Sequence, residues 1–209
     1  MSRFTALLLG LALCVLSATT VAADKYREGE HYQLISPPVP TSAKDGVEVV
    51  ELFWYGCGHC FTFEPILEDW LKKKPEGVSF RRVPAVFAQN WVPHARAFYA
   101  AAALGVSDKL HRPLFDAIHV DGRKVFSEES LISFASEAGI PEDEFRQAYD
   151  GFAIDGKVKQ AMLATRDYQI DGVPSVIVAG KYRVTASMAG GQAEMLKLVE
   201  FLVDKEKAR

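Results

Sequence analysis

The chain has 209 residues, 49% hydrophobic and 24% charged, with a formal net charge of -3. That is ordinary globular composition, with length enough for one core of good size. There is no basic stripe and the aromatic residues sit within apolar runs, which argues against nucleic acid or an anionic membrane surface as a partner.

Met1 to Ala23 reads as a secretory signal peptide. Arg3 supplies the positive start, Phe4 to Leu16 the apolar core, and Val21-Ala22-Ala23 the small residues before a cut. An uncleaved anchor would need a longer apolar run. A lipoprotein would need a small residue where Leu13 precedes Cys14. Cleavage after Ala23 would remove Cys14 and leave Cys57 and Cys60 as the cysteines of the mature protein. No later stretch approaches about eighteen continuous apolar residues, so the mature chain is expected to be soluble.

Tyr32 to Ile35 reads as a short strand, and Ser36-Pro37-Pro38-Val39-Pro40 as an extended connector. Val49 to Tyr55 is an apolar run with the character of a buried strand. It ends at Gly56. Cys57-Gly58-His59-Cys60 follows, and then Phe63, Ile66, Leu67, Trp70 and Leu71 recur at helical spacing. A C-x-x-C where a strand meets a helix is the signature of a thioredoxin-like redox site. The helix N-terminus offers unpaired N–H groups and partial positive charge, both of which favour a thiolate at Cys57. Cys60 lies about one helical turn on, within reach of a disulfide. His59 can add positive charge, and Gly58 leaves one more N–H free than a proline would. A structural disulfide or half of a zinc site is the alternative for the same four residues. An exported chain whose remaining cysteines form one C-x-x-C favours catalysis, because a secreted scaffold carries more cysteines at dispersed positions.

Val78 to Val83 alternates as a strand does. From Asn90 to about Tyr168 the sequence predicts helices alone. Asn90 caps one running to Leu104, and Ser107 caps a second carrying Leu110, Leu114 and Ile118. Ser127 caps a third, Pro141 begins a fourth, and a fifth covers roughly Asp155 to Asp167. Val173 to Val178 and Lys181 to Val184 form a hairpin about Ala179-Gly180. Gln192 to Asp204 is the final helix. The predicted organisation is α/β, with residues 24–88 and 169–209 forming one unit and residues 89–168 an all-helical insertion too long to be a plain loop.

Glu51 interrupts the central apolar run on the face shared by Phe53 and Tyr55. A buried carboxyl is costly when charged and has a raised pKa. Such a group can exchange protons with Cys60 during thiol chemistry. The alternative is an acid near the strand entrance, solvated or paired with a lysine.

The chain resembles the thioredoxin superfamily, and closely the periplasmic DsbA-type thiol:disulfide oxidoreductases. The resemblance rests on the signal peptide, Val50-Glu51-Leu52-Phe53 leading to Cys57-Gly58-His59-Cys60, the helical block, and Gly172-Val173-Pro174 opening the next strand. It covers essentially the whole mature chain. It implies a thioredoxin-like fold with an inserted helical subdomain. It implies that Cys57 joins substrate in a mixed disulfide, that Cys60 is its buried partner, and that His59 stabilises the Cys57 thiolate. Pro174 would follow a cis peptide bond against the disulfide, and Val173 would offer its backbone to an extended substrate peptide. No metal or organic cofactor is implied. The implied partners are reduced, unfolded exported proteins and a DsbB-type quinone-linked membrane oxidase that restores the disulfide. The best-known members carry Pro-His where this chain has Gly58-His59, which leaves the redox potential open.

Disulfide donation in the periplasm by a monomer is the expected activity. An isomerase or reductase would use the same site, although dedicated periplasmic isomerases usually add a dimerisation domain, and only a short segment precedes the first long strand. A metal-binding module on Cys57 and Cys60 is the reading from a different class. It would need further ligands, and His31, His94, His111 and His119 show no short metal spacing.

Overall fold

A computed structural model describes residues 25–209. The signal peptide read at Met1–Ala23, with Cys14, lies outside the described residues. Five strands form one mixed sheet in the order β1-β5-β4-β2-β3: β1 (Gln33–Leu34), β2 (Val47–Phe53), β3 (Val78–Pro84), β4 (Ser175–Val178) and β5 (Tyr182–Thr185). Helix α1 (Gly58–Leu71) connects the parallel pair β2 and β3. The remaining pairs are antiparallel. Between β3 and β4 the chain forms α2 (Val92–Ala103), α3 (Ser107–His119), α4 (Glu128–Glu137), α5 (Glu142–Tyr149) and α6 (Phe152–Asp167). After β5 come the single turn α7 (Ala186–Ala189) and α8 (Gln192–Lys207).

β2 is buried along its whole length because both faces are covered. Val47 and Val49 pack with Leu67 of α1 and Leu198 and Leu202 of α8. Val50 and Leu52, on the opposite face, pack with Ala161 and Tyr168 at α6. Phe53 and Tyr55 carry the sheet into the helical block, where they join Leu110, Leu114 and Phe115 of α3. The block is thus packed against the C-terminal end of β2, where the redox motif begins. Among the described residues no helix is long and apolar enough to cross a membrane.

The expected elements are present, with shifted ends. Ser127 caps α4 as predicted, through a reciprocal capping box with Ser130. Asn90 does not cap α2. It lies in a single 3-10 turn, Gln89–Trp91, and Trp91 is the cap, with Pro93 in the first helical turn where its missing N–H costs nothing. Ser107 is the first residue of α3 rather than its cap, which is Val106. Helix α6 starts at Phe152 rather than Asp155, and α8 continues to Lys207. The Ala179-Gly180 hairpin turn holds both residues at positive φ, 53° and 64°, the twist that suits a tight two-residue connection. A Cβ on Gly180 would stand 1.9 Å from the Val39 carbonyl oxygen, so the proline-rich connector can cross there only over glycine.

Candidate active site

β2 ends at Phe53, and three residues turn the chain into α1. Cys57 is the N-cap, with φ -95° and ψ 116°, and its N–H donates to the Trp54 carbonyl at 3.0 Å. The turn is wedged by aromatic packing. Trp54 stacks on Trp91 with centroids 4.1 Å apart, and a Cβ on Gly56 would stand 2.5 Å from the Trp54 ring. Helix α3 holds the same turn twice. His119 Nε2 lies 2.7 Å from the Tyr55 carbonyl oxygen, and the Tyr55 hydroxyl lies 2.8 Å from His111 Nδ1.

Both cysteines carry free thiols in the structure. Cys57 is half-buried and Cys60 has no accessible surface. The Cys57 pKa is lowered to about 6, chiefly by the hydrogen bond from the Cys60 thiol. The backbone N–H groups of Cys60 and His59 and the charge of His59 add to this against the opposing effect of burial. Burial pushes Cys60 well above the usual thiol range, and the neighbouring Cys57 adds to the rise. One thiol is set up to ionise and the other to keep its proton, as a helix N-terminus leading into an apolar interior dictates.

The Val173–Pro174 peptide bond is cis. The Val173 carbonyl oxygen lies 3.4 Å from Cys57 Sγ, which donates to it. Gly172, Val173 and Pro174 also line a cavity of about 580 Å³ with His59, Thr62 and Met188. The cavity continues to Gln192 at the start of α8, whose amide donates to the His59 carbonyl at 2.7 Å. His59 and Val173 therefore border one cleft, and the Cys57 sulfur lies against the Val173 backbone.

Glu51 is fully buried. Its partner is an arginine, not the lysine of the alternative reading: Arg82, opposite it in register on β3, places Nε 3.1 Å from Glu51 Oε2. Burial, together with the nearby charge of Glu64, raises the Glu51 pKa to about 8. Its Oε1 has no partner. The charge of Glu51 acts in turn on Cys60. Arg82 also pairs with Glu64 at 3.3 Å and Glu68 at 2.6 Å, and His111 Nε2 lies 3.2 Å from Glu64 Oε1.

Sequence reasoning did not single out Glu64, Arg82 or His111. Glu64 had a signal: it lies four residues after Cys60, on the helix face that also carries Leu67. Arg82 and His111 reach the site only through the pairing of β3 and the packing of α3, which no local pattern announces. Among the described residues no group of three His, Cys, Asp or Glu side chains is placed to hold a metal ion.

Comparison with known proteins finds relatives along most of the chain. A family model described as a DSBA-like thioredoxin domain matches residues 67–203, beginning just after the C-x-x-C. The thiol:disulfide interchange protein DsbA of Pseudomonas aeruginosa is 40% identical over 198 residues, which cover 95% of this chain and 94% of that protein. DsbA of Azotobacter vinelandii is 40% identical over 205 residues, covering 97% and 96%. The crystal structure of P. aeruginosa DsbA superposes with a TM-score of 0.85 at 41% identity, covering 89% of this chain and 97% of that one. DsbA from Xylella fastidiosa gives a TM-score of 0.80 at 32% identity, covering 87% and 97%.

Proposed function

The chain belongs to the DSBA-like thioredoxin family, and from that premise we propose that it donates the Cys57–Cys60 disulfide to newly exported proteins in the periplasm. It is a thiol:disulfide oxidoreductase with a thioredoxin-like fold and an inserted helical block. Its substrates are proteins, on which it acts by thiol–disulfide exchange.

The reaction begins with a substrate thiolate that attacks Cys57 Sγ in the oxidised enzyme. The Cys57–Cys60 bond breaks, and Cys60 leaves as a thiolate that takes a proton from Glu51. A second substrate thiolate then attacks the substrate sulfur of the mixed disulfide. The substrate disulfide forms, and Cys57 departs as a thiolate held by the Cys60 thiol, two backbone N–H groups and His59. A thiol of low pKa is a good leaving group, and a stabilised reduced form makes the oxidised form a stronger oxidant. Val173 and Pro174 present the backbone on which an extended substrate segment aligns beside Cys57. The electrons pass from Cys57 and Cys60 to a DsbB-type quinone-linked membrane oxidase, which restores the disulfide. The protein acts as a monomer, exported by a signal peptide cleaved after Ala23.

The observation that carries this reading is the split between the two thiols: Cys57 half-exposed with its pKa lowered to about 6, Cys60 fully buried with its pKa raised. The test is the reduction potential of the mature protein, equilibrated in glutathione buffers and followed by the fluorescence of Trp54. A potential well above the glutathione couple is expected of a disulfide donor. A potential near that of thioredoxin would make the protein a reductase and overturn the donor assignment.

A further inference from the structure

Beneath the redox pair, four side chains from four elements meet in a polar cluster whose two carboxyl groups are buried. Glu51 comes from β2, Arg82 from β3, Glu64 from α1 and His111 from α3. Both carboxylates lie on the one guanidinium, and the two differ in their second contact. Glu51 Oε1 has none, whereas Glu64 Oε1 faces His111 Nε2 at 3.2 Å, near enough to pair though off the line of a good hydrogen bond.

The orientation of His111 is fixed from its other side. The Tyr55 hydroxyl lies 2.8 Å from Nδ1; it donates to the neutral ring whose hydrogen is on Nε2 and accepts from a charged ring. In both of these states Nε2 carries a hydrogen, and Nε2 lies 3.2 Å from Glu64 Oε1. The rings of Phe53, Phe98 and Phe115 close the remaining sides of the imidazole. The charged and titratable groups that bear on it are Glu64 from α1, Tyr55 from the turn before Cys57, Arg82 from β3 through Glu64, Glu68 from α1 through Arg82, and the adjacent Arg112 on α3, whose charge acts on Glu64.

Two buried acids on one guanidinium, which also holds the more exposed Glu68, do not both stay charged at the same cost. The one with the additional donor keeps its charge, and the other keeps the proton. We propose that His111 is a positioning residue which, by presenting Nε2–H to Glu64, assigns the proton of the acid pair to Glu51, the member that serves Cys60. Burial works to raise the Glu64 pKa, and His111 with Arg82 outweighs it, so that the net direction is down. The charge thus kept on Glu64 helps to hold Glu51 protonated. The helical block is then part of the proton chemistry, through a side chain of α3.

This inference rests on the reading that Glu51 exchanges its proton with Cys60, and the test separates the two. The infrared difference between reduced and oxidised protein reports protonated carboxyl groups. It would be recorded against pH for the wild type, Glu51→Gln, Glu64→Gln, His111→Leu, and His111→Leu combined with each glutamine variant. In the wild type the titrating carboxyl band is expected to vanish with Glu51→Gln. In the His111→Leu background it is expected to survive Glu51→Gln and to vanish with Glu64→Gln. The pH profile for attack of Cys60 on a glutathione mixed disulfide at Cys57 should move about one pH unit lower in His111→Leu. His111→Gln, which keeps an N–H donor, should restore it. Tyr55→Phe, which frees the imidazole to take the other tautomer, should move it the same way by less, and it provides the test if His111→Leu does not fold. A band that still depends on Glu51 in His111→Leu, or a profile unmoved in His111→Leu or Tyr55→Phe, overturns the role of His111 alone. A profile unmoved in Glu51→Gln overturns both that role and the reading beneath it.

Discussion

Cys57 and Cys60 lie one helical turn apart at the head of α1, yet Cys57 is half-exposed and Cys60 has no accessible surface. The asymmetry comes from the fold. Cys57 is the N-cap and meets the Val173 carbonyl, while Cys60 packs with Phe53 and Tyr55 beneath it. Iodoacetamide should therefore modify reduced protein at Cys57 and spare Cys60. The alkylation rate should follow a single ionisation near pH 6. Cys60→Ser should accumulate mixed disulfides with substrate, and Cys57→Ser should not. Equal labelling of both cysteines in the folded protein would contradict the structure.

The same thiolate makes stability depend on redox state and pH. An unperturbed cysteine titrates near 9, and folded Cys57 near 6. The folded reduced protein therefore binds fewer protons than its unfolded chain between these values, and its stability rises with pH across that window. The contribution is complete above about pH 9 and is lost as pH falls through about 6. A shift of this size is worth roughly 4 kcal/mol in full, and screening at a half-exposed sulfur reduces it to about 2 kcal/mol. The oxidised protein has no such group. Thermal unfolding of the two forms should diverge between pH 6 and 9, with the reduced form gaining; parallel curves would remove the thiolate as the source of oxidising power.

Glu51 works in the opposite direction. Its pKa is raised from 4.5 to about 8, so the folded protein holds a proton that the unfolded chain gives up. Stability on this account falls as pH rises from about 4.5 to about 8. Glu51→Gln keeps the shape and removes the buried charge, and Arg82 retains Glu64 and Glu68 as partners. The variant should be more stable by roughly 1–3 kcal/mol at pH 8 and scarcely different below pH 4.5. It should also slow the proton-linked steps of Cys60 by about 10–100-fold. Urea unfolding at the two pH values checks the first expectation, and stopped-flow resolution of a mixed disulfide checks the second.

The parts of this site that a sequence can carry are those whose cause is local. Cys57-Gly58-His59-Cys60 announces itself because a strand, a turn and a helix start adjoin in the chain. Ser127 announces a helix start because its cap bonds lie three residues away. Asn90 and Ser107 share that residue type but do not cap, since Pro93 and the turn after Gly105 place the first helical residues elsewhere. Glu51 was legible as a misfit in an apolar run, but its arginine partner was not, because only the register of β2 and β3 brings Arg82 to it. His111 was least legible. Its neighbours Tyr55 and Glu64 lie on other elements, and on α3 alone it is one polar residue among several.

The Gly58 position tests how much of the thiolate environment depends on the middle dipeptide. Gly58 is the first residue of α1, where proline is well tolerated. Cys57, with ψ 116°, already has the extended conformation that proline requires of the residue before it. A Cβ at Gly58 would meet nothing within 4 Å. The donors that lower the Cys57 pKa are the Cys60 thiol and the N–H groups of Cys60 and His59, and the Gly58 N–H is not among them. Gly58→Pro should therefore stabilise both redox forms by about 0.5–1 kcal/mol through the unfolded chain. The alkylation midpoint of Cys57 should stay near pH 6. A midpoint displaced upward by the substitution would mean that the Gly58 N–H also reaches the sulfur in solution, and that Gly-His in place of Pro-His tunes the potential directly. An unchanged midpoint with altered exchange rates would instead locate the effect of the dipeptide in the access of substrate to Cys57.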